Sequence, residues 1–255
     1  MRGIINQTDP LMIALACAAA MLLAWGIGWR QGRRLPPETG EDPAVKFTDA
    51  SLALLGLLLA FTFSMSLARH DQRRATVVAD SNAVGDFYTC ASLLKQPSRS
   101  RLQAIIREYA QHKLDAGRQV LSEEDLQKAL KRFQDLHDRM TTTVDEAILE
   151  GTPIALSLTS TLNNVTSSNA SYLAAYRERL PWTIVLLLFL GAVVPALLVG
   201  LKQGASPRPH VVGTVCFIIL VAFVIYVTLD LNQPDTGAIR VSKEPFERLL
   251  QSMEK

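Results

Sequence analysis

Histidine and cysteine are scarce in this chain, and catalytic signatures are missing from it. The four histidines, His70, His112, His137 and His210, include no two at metal-ligand spacing with a Cys or carboxylate pattern, so they read as solvated or capping groups and no metal is expected. Of the three cysteines, Cys17 and Cys216 lie inside apolar runs and only Cys90 lies in a polar region. No disulfide within one chain can therefore staple the polar part, which fits a reducing compartment. Charge of one sign is not in excess either. A net charge of +2 gives no strong steering, and with no helix-turn-helix or zinc-finger spacing it excludes nucleic acid as a partner. "GRRLPPETGEDP" has glycines but neither a preceding strand nor a Lys-Ser/Thr pair, so it is no phosphate loop. There is no G-x-S-x-G elbow. With no catalytic residue to name, the chain is not expected to be an enzyme or to bind a cofactor. No cleavable secretory signal is expected either: the first apolar run starts late, runs long and lacks a small-residue cleavage site.

What the sequence does have is four long apolar runs. A bilayer core of about 30 Å asks for roughly 20 apolar residues in a helix. "LMIALACAAAMLLAWGIGW" (11–29), a run beginning near Ser51, "WTIVLLLFLGAVVPALLVGL" (182–201) and "VVGTVCFIILVAFVIYVTL" (211–229) meet that standard. None contains Asp, Glu, Lys, Arg or His, so there is no intramembrane proton relay. Pro181 suits a first helical turn, and Pro195, inside the third run, removes a backbone bond and predicts a kink. The first two runs are joined by the Pro- and Gly-punctuated "RLPPETGEDP" and the last two by the short "KQGASPRPH". The layout is thus all-α: two transmembrane hairpins (1–67 and 181–231) flanking a soluble insert (68–180), followed by a C-terminal tail (232–255), with both termini on the insert's side.

The insert reads as helices throughout. The second run continues past Asp71 with Val77, Val78, Val84, Phe87 and Leu94 at helical spacing, and Pro97 ends it. "SRSRLQAIIREYAQHKLDAG" has a serine cap and Gly117 near its end. Ser122 with Asp125 forms a weak capping box before "LQKALKRFQDLHDRMTTTVDEAIL", which Gly151 stops. Thr152-Pro153 is the expected start of a helix running to about Leu180. The insert's 15 basic and 14 acidic residues nearly balance, as in a solvated bundle. "LTSTLNNVTSSNASYL" is rich in Ser, Thr and Asn, which suits a polar face in an oligomeric bundle or an ion-facing surface. The positive-inside count turns on membrane-proximal Arg69, Arg73, Arg74, Arg177 and Arg179, which outweigh Arg30, Arg33, Arg34, Lys46, Lys202 and Arg208 when added to the tail residues Arg2, Arg240, Lys243, Arg248 and Lys255. That favours a cytoplasmic insert with cytoplasmic termini.

The second run, "LLGLLLAFTFSMSLARHDQRR", is two-faced. At 100° per residue, Leu57, Phe61, Ser64, Met65 and Ala68 share one face, while Thr62, Ser66, Arg69 and Arg73 fall nearly opposite. The bulky apolar row is either ordinary lipid or helix contact, or, repeated around a symmetry axis, a hydrophobic constriction that gates by dewetting. Periodicity does not choose between them. Hydroxyls such as those of Thr62 and Ser66 in a membrane helix bond back to their own backbone or to a neighbour.

The stretch "LGLLLAFTFSMSLARHDQRRATVVADSNAVG" (55–85), "AYRERLP" before the third run, and the closing "LDLNQPDTGAIRVSKEPFERLL" resemble the bestrophin-like family of bacterial and plant membrane proteins, related more distantly to bestrophin ion channels. The closing segment is similar to that family's motif of an Asp, a Pro-containing turn, a Gly and an Arg-Val pair. The resemblance covers the second span, its junction and everything from Tyr176 onward. It implies a homo-oligomer, a pentamer with four spans per subunit, in a bacterial inner membrane, with a central path for inorganic ions through the lipid bilayer. It places Leu57, Phe61 and Met65 at a pore constriction and Asp49, Arg69, Arg73 and Arg74 as charges at the pore mouths. Where the family's channels carry an aromatic pair after the cluster's Arg, this chain has Arg74-Ala75, and no acidic calcium clasp is evident. The competing reading is a non-conducting membrane sensor or scaffold whose helical insert binds a ligand or partner.

Overall fold

The computed structural model describes residues 9–34, 43–118, 123–178, 180–206, 209–233 and 237–254. They form eight helices and no strand: α1 (Pro10–Gly32), α2 (Pro43–Ala91), α3 (Ser98–Arg118), α4 (Glu123–Leu149), α5 (Ala155–Arg177), α6 (Trp182–Ala205), α7 (Val211–Asn232) and α8 (Glu244–Met253). Helices α1, α2, α6 and α7 are long and apolar enough to cross a bilayer. The expected loop residues 35–42, Ser122 of the capping box, and Arg2, Arg179, Arg208 and Lys255 of the charge count lie outside the described residues.

Local chemistry sets the helix ends. The Asp9 side chain accepts from the Leu11 N–H at 3.0 Å and Pro10 follows it as the first helical residue, a cap with a proline whose missing N–H would have been unpaired anyway. Gly151, at φ +80°, closes α4: its N–H reaches Ile148 O and the Thr152 N–H reaches Ala147 O, the paired bonds of a Schellman close. That closure explains why α5 starts at Ala155, later than Thr152-Pro153 suggests. The backbone N–H of Thr152 is already committed to the preceding helix, and Ile154 takes the cap position without a side-chain bond. Similarly, α2 stops at Ala91, short of Leu94, because Leu93 and Leu94 bond to carbonyls three residues back, a tighter turn than the α-helix sustains. Helix α6 continues through Pro195, which is buried.

The described residues divide into two compact units, Met1–Arg69 with Arg179–Ile239, and His70–Glu178 with Arg240–Lys255. In the first, α1 and α6 cross at glycines. A methyl group on Gly28 or Gly32 would stand 2.2 Å from Leu197 O or Leu201 O, and one on Gly200 or Gly204 would stand 2.2 or 2.3 Å from Trp25 O or Trp29 O. Both helices thus carry a G-x-x-x-G pair that lets the backbones touch, the packing that association in lipid favours when apolar burial gives no driving force. Met21, Leu55, Ala192, Ile218 and Ile225 fill the core beside this crossing. At its end, Trp25 Nε1 donates to Gln203 Oε1 at 3.0 Å and Gln203 Nε2 donates to Thr214 Oγ1 at 2.6 Å, so the polar side chains at this depth are paired.

In the second unit, Val84 and Phe87 of α2 pack with Leu102, Ile106 and Tyr109 of α3, Leu136 and Met140 of α4, and Leu158 and Val165 of α5. The residues from Arg240, in the C-terminal tail, belong to this core through Val241, Phe246 and Met253. Ser81 Oγ donates to Pro245 O at 3.0 Å, and Tyr88 OH and Arg107 both donate to Met253 O, so α8 is held at both ends.

Candidate functional site

The candidate site is the membrane stretch of α2, whose hydroxyl face is buried while the predicted row is open, as are Leu54, Phe63 and Leu67 beside it. Leu57, Phe61 and Met65 are 52%, 63% and 39% exposed, and Ser64 and Ala68 share their open face. Thr62 and Ser66 are buried. The Thr62 hydroxyl bonds back to Leu58 O at 2.7 Å, which satisfies it without a partner helix. Ser66 Oγ and Arg69 Nη1 are buried with no hydrogen-bond partner among the described residues. The apolar window of α2 is 17% buried, against 28% for each of the other three candidate spans. Among the four, α2 therefore leaves the most apolar surface for lipid or for another copy of the chain to cover.

The four charges expected near the ends of this helix separate into two groups. Asp49 and Arg74 are exposed and Arg69 is half-buried; the Asp49 carboxylate lies 3.8 Å from the Lys202 ammonium of α6, a surface pair of small energetic worth. Arg73 is set apart from the other three by its burial. It is 1% exposed, its Nε donates to Ala175 O at 3.2 Å and its Nη2 donates to Glu178 O at 2.7 Å. Its guanidinium closes the C-terminus of α5, where unpaired carbonyls and the negative end of the helix dipole favour a cation.

The closing segment has a comparable role. Both oxygens of the buried Asp230 carboxylate accept backbone N–H groups at 2.9 Å, Oδ1 from Ala238 and Oδ2 from Ile239. Gly237 is required there, since a methyl on it would stand 2.9 Å from both Asp230 O and Asp230 Oδ1. Asn232 Oδ1 accepts the Leu180 N–H at 2.9 Å. Arg73, Leu180, Asn232, Asp230 and Gly237 thus fasten backbone, and these are the segments that carry the family resemblance. Pro234, Asp235 and Thr236 lie outside the described residues.

One polar constellation escaped the sequence reading. In the second unit Lys113 of α3 pairs with Asp80 of α2, both side chains buried. Ser168 Oγ donates to Asp80 Oδ1 at 2.9 Å and Lys113 Nζ donates to Asn169 Oδ1 at 2.8 Å. Tyr172 and Tyr109 stand with ring centroids 4.9 and 5.3 Å from the ammonium, within cation–π reach. Lys243 donates to the hydroxyls of Tyr172 and Tyr176 on the far side. Burial pushes the Lys113 amine below the usual lysine range; Asp80 pulls it back by charge and hydrogen bond, and Lys243 adds to the lowering. Burial, with Asp80's negative charge second, pushes the Tyr109 phenol well above its ordinary value. The signal was in the sequence: Asp80 stands three residues after Val77 and four before Val84, on the core stripe. No group of three His, Cys, Asp or Glu that could hold a metal occurs among the described residues.

Fold and apolar helices together define an all-helical integral membrane protein. A family model described as the bestrophin-like domain matches residues 14–246; the chain belongs to the bestrophin-like family. Among curated proteins, none matches in sequence. The crystal structure of a membrane protein superposes with a TM-score of 0.62 at 16% identity, covering 96% of this chain and 98% of that one. At that identity the likeness speaks to the fold.

Proposed function

We propose that this protein is a homo-oligomeric channel, a pentamer, that conducts inorganic ions along an axis lined by α2, with its helical insert in the cytoplasm of a bacterial cell. Leu57, Phe61 and Met65 form the constriction, a hydrophobic ring that blocks ions by dewetting. The observation that carries this reading is the division of α2. Its hydroxyl face is turned into the protomer and its bulky row is left open, on the least covered of the four apolar helices. Asp49, Arg69 and Arg74 bias the charge of the passing ion at the mouths; Arg73, bound to the end of α5, is withdrawn from that set. Purified protein in liposomes should pass ions, and Phe61→Ala should raise the flux severalfold by widening and wetting the ring. A stable monomer without flux sinks the proposal.

The second reading, a sensor or scaffold whose insert binds a partner, has one observation in its favour. From Thr152 to Tyr176 there is no charged residue, and Ser160, Asn164, Ser167 and Ser171 of α5 are exposed. A solvated helix ordinarily carries charge on its outer face. Oligomers that form through this face but pass no ions would favour it.

A further inference from the structure

The first unit contains a half-open cavity of about 210 Å³, walled by Leu52 of α2, Ala196 and Val199 of α6, and Gly213, Phe217 and Ile218 of α7. Its only polar wall residues, Gln203, Thr214 and His210, gather at the end toward the α6–α7 turn. The Gln203 amide is already spent on Trp25 and Thr214, and the Thr214 hydroxyl also reaches His210 O at 3.3 Å. No polar wall atom in the interior calls for a polar ligand, and a cavity lined by Leu, Ile and Phe stays dry and takes an apolar guest. One wall is open for want of a side chain: a methyl on Gly213 would meet nothing within 4 Å. Phe217 beside it is 38% exposed. With Met21 on the α1 side, the cavity is walled by all four membrane-crossing helices, and Gly213, the third residue of α7, sets its opening near one end of the span.

We propose that this cavity is a lipid site that takes one acyl chain of a bilayer phospholipid, entering past Gly213 with its head group at the His210 end. The apolar walls select the chain and leave the head group in the interface. The assignment needs only the first unit and the bilayer, so it stands whether or not the protein conducts. If α2 does line a path, the guest lies against Leu52, five residues before the Leu57 ring, and filling the site holds that helix in place.

The test is photolabelling of the full-length protein in liposomes containing phosphatidylcholine with a diazirine in mid-chain. Adducts are expected on the half-buried Leu52 and Val199, as well as on the lipid-facing Leu187 and Leu190 of α6. Gly213→Leu fills the opening and should lower labelling of Leu52 and Val199 at least fivefold, leaving Leu187 and Leu190 unchanged. Phe217→Ala enlarges the opening and should raise labelling of the first pair, which decides the matter even if the leucine variant does not fold. Absence of adducts at Leu52 and Val199, or labelling there indifferent to both variants, overturns the site. Stronger labelling by the same diazirine on a free fatty acid overturns the assignment to bilayer lipid.

Discussion

Arg73 and Glu178 are joined by a 2.7 Å hydrogen bond from the guanidinium to the backbone carbonyl that follows α5. An arginine that sequence places at a pore mouth is thereby a helix terminator. The guanidinium reaches two carbonyls at once, which a point-charged lysine on a flexible stem does not reproduce. Arg73→Ala leaves the carbonyl of the buried Ala175 without this donor and frees that of the exposed Glu178 to water, at a cost of about 1–3 kcal/mol. Arg73→Lys should recover less than half of it. Thermal unfolding of the detergent-solubilised protein reads both; under the proposed channel function, liposomes made from whatever fraction folds should show unaltered ion preference, whereas Arg74→Glu shifts it.

The crossing of α1 and α6 allows no side chain at four positions. Gly200→Ala drives a methyl into the Trp25 carbonyl and should lower stability by about 1–3 kcal/mol, the range for overpacking a tight contact. Gly213→Ala, which meets nothing within 4 Å, is the matched control and should leave the melting temperature unchanged.

For the buried pair, removing one partner strands the other. Asp80→Asn and Lys113→Met should each cost about 3–5 kcal/mol. The double variant Asp80→Leu with Lys113→Met should regain most of that, because replacing a buried ion pair by apolar side chains of similar volume is often close to neutral. A double variant as unstable as the singles would show that Ser168, Asn169 and the aromatic walls depend on the charges.

Alkaline stability should depend on Tyr109. Its phenol is pushed up in the folded protein, so above about pH 10 the unfolded chain sheds that proton while the folded one keeps it. Stability then falls as pH rises, by about 1.4 kcal/mol per pH unit while one proton separates the states. Lys113 acts with the opposite sign. Its amine is pushed down, so the folded state binds fewer protons than the unfolded one up to about pH 10.4, and stability rises across that window. Unfolding measured between pH 9 and 11 should show a loss above pH 10 in the parent that Tyr109→Phe removes.

The Asp230 clasp predicts a different pattern. Asp230→Asn keeps the shape but supplies one acceptor oxygen where two N–H groups wait, a loss of about 1–3 kcal/mol. Gly237→Ala puts a methyl 2.9 Å from the same carboxylate and should lower the melting temperature without changing net charge. A salt-independent loss in both would separate this clasp from a surface electrostatic effect.

Much of the architecture is legible in the sequence because it follows from length and period. Four uncharged apolar runs give four crossing helices, and Gly151 or Asp9-Pro10 mark ends through backbone chemistry alone. The two faces of α2 are legible for the same reason, since Leu57 and Phe61 stand a helical turn apart. What periodicity could not supply was the identity of the neighbours. Arg73 looks like any basic residue beside a membrane until α5 is seen to end above it. Gly28, Gly32, Gly200 and Gly204 form two G-x-x-x-G pairs that were readable but unpaired, because nothing in one helix names the helix it will meet. Asp80 and Lys113 are 33 residues apart, and net charge balance hides a buried pair among solvated ones. Helix α8 is short, and its docking depends on Ser81, Tyr88 and Arg107, which give no sign of it in their own segments.

Leu55 of α2 is packed into the core of the first unit while Phe61, on the same helix, is open, and this makes the stretch between them intolerant of a change in length. Inserting a single residue there turns the Leu57–Phe61–Met65 row by 100° relative to the core that Leu55 enters. Four inserted residues leave a 40° error, and seven leave about 20°. The spacing from Leu55 to Phe61 is therefore a phase setting as well as a distance, and insertions should be tolerated there only in whole turns.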